Sequence, residues 1–95
     1  MTYFTIKEIK EANRERGDFW FSPDTMRFWG CRILPRVYAG RYFIASNRPI
    51  HGLKRTYRIC VADETGKIDT VDFCYETAGL AKKALERLID SENQG

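Results

Sequence analysis

The chain has 95 residues, of which 43% are hydrophobic and 31% are charged, and its formal net charge is +3. This composition is that of one ordinary globular domain over residues 1–95, and it excludes collagen-like, low-complexity and wholly disordered chains. Residues 1–16 are charged throughout, unlike a signal peptide, and no apolar run approaches the roughly 20 residues of a membrane span, so we expect a soluble, cytoplasmic protein with no membrane partner.

The first element in chain order is a helix that begins after Thr5. Thr5 and Glu8 have the spacing of a capping box, in which each side chain binds the other residue's backbone amide. Phe4 is placed to pack on Ile9 as a hydrophobic staple. Gly17 is a natural C-terminal stop for this helix.

A short second helix is expected at about residues 23–29. Ser22 is a suitable cap, Pro23 suits the first helical position, and Asp24 complements the positive end of the helix. The aromatic residues around this helix are expected to anchor it by burying large apolar area, so Trp20 and Trp29 are better explained as core residues than as exposed anchors for a protein partner.

Period-two alternation begins at Cys31 and predicts a strand at a sheet edge or with a bulge, because Pro35 lies within it. Gly40 marks a turn into a strand from Arg41 to Ser46. Residues 47–53 contain proline and glycine and are typical of an exposed loop.

The clearest strand pair joins Lys54 to Ala62 with Lys67 to Tyr75 through a turn that places Gly66 in the left-handed conformation. The expected register puts Tyr57 opposite Phe73, Ile59 opposite Val71 and Arg58 opposite Asp72.

Thr77 caps a last helix with a continuous apolar stripe, followed by a tail at 91–95 that we expect to be disordered. The fold class is therefore predicted to be α+β: a three- to four-stranded antiparallel sheet with the N-terminal and C-terminal helices packed on one face, plus the short helix.

Catalysis has little support in the residue types. His51 is the one imidazole, and the three cysteines, Cys31, Cys60 and Cys74, are widely spaced in apolar contexts typical of reduced, mostly buried thiols in the cytosol. No zinc-ligand spacing and no glycine-rich phosphate loop is present, so we expect no catalytic, metal-binding or cofactor-binding residues. The alternative is a cysteine nucleophile activated by His51.

The charges are concentrated in the middle of the chain, where no acidic residue occurs between Asp24 and Asp63. Eight cationic side chains fall in this interval: Arg27, Arg32, Arg36, Arg41, Arg48, Lys54, Arg55 and Arg58. If the strand arginines share one exposed sheet face, they form a site for an anionic partner, with tyrosines adding stacking. The candidate residues are Arg32, Arg36, Arg41, Arg55, Tyr38 and Tyr42. If the acidic flanks pair with them instead, the result is a set of surface ion pairs of small energetic value.

Residues 19–29 have the sequence FWFSPDTMRFW and are followed by Arg32 and Ile33. This F-S-P-D-T-M-R-F-[FW] motif resembles a signature of small uncharacterised proteins encoded by tailed phages, prophages and gut-associated mobile elements. The likeness extends to Tyr42, Phe43 and residues 65–71. The resemblance implies an accessory protein in bacterial cytosol, and it supplies no catalytic residues.

Three functions follow from these patterns. The first is a non-enzymatic interaction module, a phage or mobile-element accessory protein that binds a host or phage protein. The second is a nucleic-acid-binding domain that uses the arginines of the sheet. The third, least favoured, is a cysteine-dependent enzyme.

Overall fold

The computed structural model describes residues 2–18, 20–28, 30–48 and 54–94, which form a four-stranded antiparallel sheet and three helices. The strands have the order β1-β2-β3-β4 in the sheet. The α+β class with helices near both ends is confirmed. The elements in chain order are α1 (Ile6–Glu15), α2 (Pro23–Phe28), β1 (Arg32–Ile33), β2 (Tyr42–Asn47), β3 (Thr56–Ala62), β4 (Ile68–Tyr75) and α3 (Ala78–Gln94).

Both long helices begin at the predicted caps. Thr5 Oγ1 accepts a hydrogen bond from the amide of Glu8 at 3.2 Å, and Thr77 Oγ1 accepts one from the amide of Leu80 at 3.1 Å. The staple expected from Phe4 is wrong, because this side chain is 79% exposed. Tyr3 is buried in its place and donates its hydroxyl to the carbonyl oxygen of Asp63 at 2.7 Å.

The two long helices cover opposite faces of the sheet. Phe43 and Ala45 of β2 pack with α1, whereas Tyr42 and Ile44 pack with α3. The expectation that both helices lie on one face is therefore wrong. The physical reason lies in β2, whose side chains are apolar at successive positions and point alternately to either face, so each face needs a cover. We call these the α1 face and the α3 face.

The hairpin of β3 and β4 keeps the predicted register only near its turn. Ala62 pairs with Ile68 and Cys60 with Thr70, as expected, but irregularities then shift the register so that Ile59 pairs with Asp72. A second shift brings Tyr57 opposite Tyr75. The expected pairs of Tyr57 with Phe73, Ile59 with Val71 and Arg58 with Asp72 are therefore wrong, because bulges insert extra residues into β4.

The chain after residue 90 is helical to Gln94, so the disorder expected from Ser91 to Gly95 is wrong for residues 91–94. Gly95 lies outside the described residues, as do Phe19, Trp29 and the loop segment 49–53 with His51. Trp20 packs against the α1-face core, with its ring centroid 5.8 Å from that of Phe43.

Candidate functional site

The six residues predicted to bind an anionic partner do not form one exposed face. Tyr38 and Tyr42 are buried in the α3-face core, with 8% and 5% of their surface exposed. The guanidinium of Arg36 covers the ring of Tyr38, 4.5 Å from its centroid. Arg32 is exposed on β1. These side chains therefore do not combine into one anion-binding surface, and neither tyrosine offers a free ring for stacking.

Arg41 is paired with an acid of the C-terminal helix. Its guanidinium lies 2.5 Å from a carboxylate oxygen of Glu92 and 4.9 Å from the ring centroid of Tyr42. The Tyr42 hydroxyl donates a hydrogen bond to the same carboxylate. Burial and this hydrogen bond raise the pKa of Tyr42. One cation of the acid-free interval between Asp24 and Asp63 is thus neutralised by an acidic residue outside that interval. The C-terminal helix supplies this acid because α3 extends past residue 90.

Four cations gather at the end of the sheet where β2 finishes and β3 begins. The register pairs Arg32 with Ser46 and Asn47 with Thr56, so these residues and their chain neighbours lie at the same end of the sheet. One Nη nitrogen of Arg55 binds the carbonyl of Gly30 at 2.6 Å and the hydroxyl of Ser46 at 3.0 Å. We name this group the basic end and define it as Arg32, Arg48, Lys54 and Arg55.

The β4 edge exposes large apolar side chains. Phe73 is 67% exposed and Val71 is 44% exposed, and Leu80 in the first turn of α3 is 49% exposed. Phe4, which lies near the N-terminus and far from β4 in the sequence, is the other large apolar side chain with comparable exposure in the described residues. Exposed apolar side chains concentrated on two elements that follow each other in the chain are typical of a contact surface.

A cleft of about 350 Å³ opens where β4 is irregular. The cleft lies on the α1 face. Thr56, Arg58 and Cys60 occupy every second position of β3, so their side chains share one face, and Cys60 belongs to the α1-face core. Cys74 occupies a left-handed backbone conformation with φ of 72°, which is rare for a residue other than glycine. The lining residues are Asn47, Thr56, Arg58, Thr70, Phe73 and Cys74.

Arg58 is a half-buried cation in this cleft. Its guanidinium carbon lies 5.1 Å from the ring centroid of Trp20, and it forms no ion pair with any described carboxylate. Asp72, its expected partner, instead accepts hydrogen bonds from the amide of Phe73 at 2.9 Å and the hydroxyl of Tyr75 at 2.5 Å. Two buried polar atoms of the cleft residues, Arg58 Nε and Asn47 Oδ1, find no hydrogen-bond partner among the described residues.

The three cysteines differ in exposure and none forms a disulfide. Burial raises the pKa of Cys60 to about 12 and also raises the pKa of Cys31, although the nearby Arg58 charge opposes it. Both thiols are therefore protonated and unreactive at neutral pH. Cys74 is exposed at the rim of the cleft. His51 lies outside the described residues, so a pairing with any cysteine stays a prediction.

The cleft was not predicted from the sequence, although part of its signal is present. Thr56, Arg58 and Cys60 occupy alternate positions of β3, and the correct part of the register places Cys60 opposite Thr70. That pattern could have grouped Thr70 with Arg58. The contributions of Phe73 and Cys74 depend on the bulges, which have no signature in the sequence.

The described residues contain no helix long and apolar enough to cross a membrane, and no cluster of three metal-ligating side chains. No curated protein and no solved structure matches the chain. A family model does match, over residues 5–86, which include every residue of the cleft and of the basic end. The chain belongs to the family of unknown function DUF7447.

Proposed function

We propose that this protein is a non-enzymatic interaction module that binds a protein partner along β4 and the start of α3. The observation that carries the proposal is the exposure of Val71, Phe73 and Leu80 on these two adjoining elements. Covering apolar surface contributes about 25 cal/mol per Å² to association, so such side chains favour a bound state. Ordinary surfaces expose large apolar residues singly, whereas three here come from one short stretch of chain.

The partner is expected to contact side chains rather than to extend the sheet along the whole of β4. This strand lies at a sheet edge, but its register is irregular and it carries Asp69 and Asp72 with no cationic residue. Bulges and charges on an edge strand are the features that oppose pairing with a further strand. A partner with apolar side chains, and without a long β-strand of its own, fits this surface.

The motif in residues 19–29 supports a finer proposal about the setting. Its resemblance to proteins of tailed phages and mobile elements favours an accessory protein in the cytoplasm of a bacterial host cell, and a partner that is a host or phage protein.

Affinity capture with a matched control tests the proposal. Tagged wild-type protein, the double variant Val71→Thr/Phe73→Ser and the control Phe4→Ser are incubated with bacterial lysate, and the retained proteins are quantified by mass spectrometry. Phe4 is even more exposed than Phe73 but lies outside the proposed surface. We expect a protein retained equally by the wild type and the control and at least tenfold less by the double variant. Equal retention by all three, or no specific protein, would contradict the proposal.

A nucleic-acid-binding function is the second candidate, and the basic end favours it. Four cations that each contact one phosphate predict a fall in affinity of about 10²-fold between 50 and 200 mM salt. Fluorescence anisotropy with single-stranded and double-stranded DNA and RNA measures this slope, with Lys54→Gln as the test variant and Arg36→Gln as the control. Absence of binding at 50 mM salt eliminates this function.

A further inference from the structure

Arg58 forms no ion pair with any carboxylate in the part of the chain that the structure describes. A charge removed from water is costly unless a second charge or several hydrogen bonds compensate it. The contacts of this guanidinium are the face of Trp20 at 5.1 Å and the thiol of Cys31, neither of which carries a negative charge at neutral pH. Its Nε is buried without an acceptor among the residues that the structure describes. The cleft therefore contains a cation that no described carboxylate neutralises.

The other walls of the cleft are suited to complete a small polar site. Thr56 and Thr70 contribute hydroxyl groups, of which that of Thr70 also forms a side-chain hydrogen bond with the Cys60 thiol. Asn47 contributes a buried carbonyl oxygen that has no donor among the described residues. The ring of Phe73, 67% exposed, adds an apolar wall. A volume of about 350 Å³ is at the small end of ligand-binding pockets.

We propose that this cleft binds a single carboxylate carried by an Asp or Glu side chain of the protein partner. The guanidinium of Arg58 matches a carboxylate in charge and geometry, and the threonine hydroxyls can satisfy its remaining lone pairs. The backbone N–H of the same partner residue supplies the donor that Asn47 Oδ1 lacks. Phe73 covers the methylene groups of the side chain.

The charges around the cleft favour one carboxylate over a polyanion. Asp69 and Asp72 lie on the strand that forms the outer wall, and Glu76 follows it, so a nucleic-acid backbone or a strongly acidic segment would meet several negative charges. The basic end lies beyond Asn47 and Thr56 and attracts an approaching anion from the other side. An isolated acidic residue in an otherwise neutral or basic segment satisfies both conditions.

This inference rests on the proposed function, because the partner delivers the carboxylate, yet it is testable without the partner. The probe is N-acetyl-glutamate amide, and N-acetyl-glutamine amide is its uncharged control. Both are titrated into ¹⁵N-labelled full-length protein while the Arg58 Nε–H signal and the amides of Thr70, Phe73 and Cys74 are followed by NMR. We expect saturable shifts with the glutamate probe, at a Kd on the order of a few millimolar for one charge-assisted contact, and at least tenfold weaker binding of the glutamine probe.

Two variants locate the site and one serves as a control. Arg58→Gln should abolish the shifts, and Thr70→Val, which leaves the packing on Trp20 intact, should weaken binding several-fold. Arg36→Gln removes an arginine outside the cleft and should bind as the wild type does. Equal binding of both probes, unchanged binding by Thr70→Val, or tighter binding of inorganic phosphate or oligo(dT) than of the glutamate probe would overturn the proposal.

The outcomes separate this inference from the proposed function. If the probe does not bind while capture of a partner still depends on Val71 and Phe73, the carboxylate site is wrong and the interaction module stands. If the probe binds as described but capture is unaffected by the double variant, the site stands and the proposed partner surface is wrong.

Discussion

Replacing Gly66 by alanine would force the β3–β4 turn away from α1. Gly66 has φ of 87°, and a Cβ there would lie 2.4 Å from the backbone carbon of Ala12 and 2.6 Å from the backbone nitrogen of Asn13. These atoms belong to the helix backbone, so no side-chain rotation relieves the overlap. The helix and the turn must separate by about an ångström to reach ordinary contact distances.

The expected cost has two parts. An alanine in the left-handed region costs about 1–2 kcal/mol. Separation of the turn from α1 also weakens the buried hydrogen bond from Asn13 Nδ2 to the Gly66 carbonyl, which is 2.7 Å long, and loss of such a bond costs about 1–3 kcal/mol. With the residual overlap, Gly66→Ala should lower the free energy of unfolding by about 3–5 kcal/mol.

Gly17→Ala is the matched control, because Gly17 has φ of 91° but no atom of the described residues within 4 Å of its Cβ position. Gly17→Ala should lower the free energy of unfolding only by the cost of an alanine in the left-handed region, about 1–2 kcal/mol. Urea unfolding, followed by tryptophan fluorescence and by circular dichroism, gives both values. A difference of less than about 0.5 kcal/mol between the two variants, measured with unchanged m-values, would refute the close packing of the turn on α1.

Four further results are expected. Asn13→Ala should lower the free energy of unfolding by about 1–3 kcal/mol in urea titrations, because it leaves the buried Gly66 carbonyl without its donor. Burial raises the pKa of Cys60 from 9.0 to about 12, so the stability that the buried neutral thiol contributes is complete below pH 9 and is lost as the pH rises toward 12. Urea titrations should therefore show a free energy of unfolding about 2 kcal/mol lower at pH 10.5 than at pH 8, and a smaller loss in Cys60→Ala. In thiol-reagent kinetics on the folded protein, Cys74 should react first and Cys60 only after unfolding. Glu92→Gln should lower the free energy of unfolding by no more than about 1 kcal/mol, or the midpoint of thermal unfolding by at most about 4–8 °C, because exposed ion pairs contribute about 0–1 kcal/mol.

The sequence predicts the local elements well because their signals are local. The cap residues Thr5 and Thr77 act within one helical turn, and the turn ending at Gly66 sets the pairing of the residues next to it. The placement of the helices was the main error about the fold. The sequence of β2 contains the signal for the correct placement, because its uninterrupted apolar run requires cover on both faces of the sheet.

The candidate site was less predictable because it depends on small shifts between strands. One extra residue in β4 after Thr70 is enough to move Asp72 out of register with Arg58, and this converts an expected ion pair into a cation at a cleft. Similarly, the pairing of Arg41 with Glu92 joins residues far apart in the chain and requires α3 to run past residue 90. Such pairings are set by tertiary packing rather than by residue pattern.

Hydrogen–deuterium exchange of the protein, free and bound to its captured partner, tests most directly whether β4 and the start of α3 form the interaction surface. We expect slower exchange on binding in peptides that cover Ile68–Tyr75 and the first turns of α3, with Ile6–Glu15 of α1 unchanged. Protection confined to α1, or no protection along β4, would contradict this expectation.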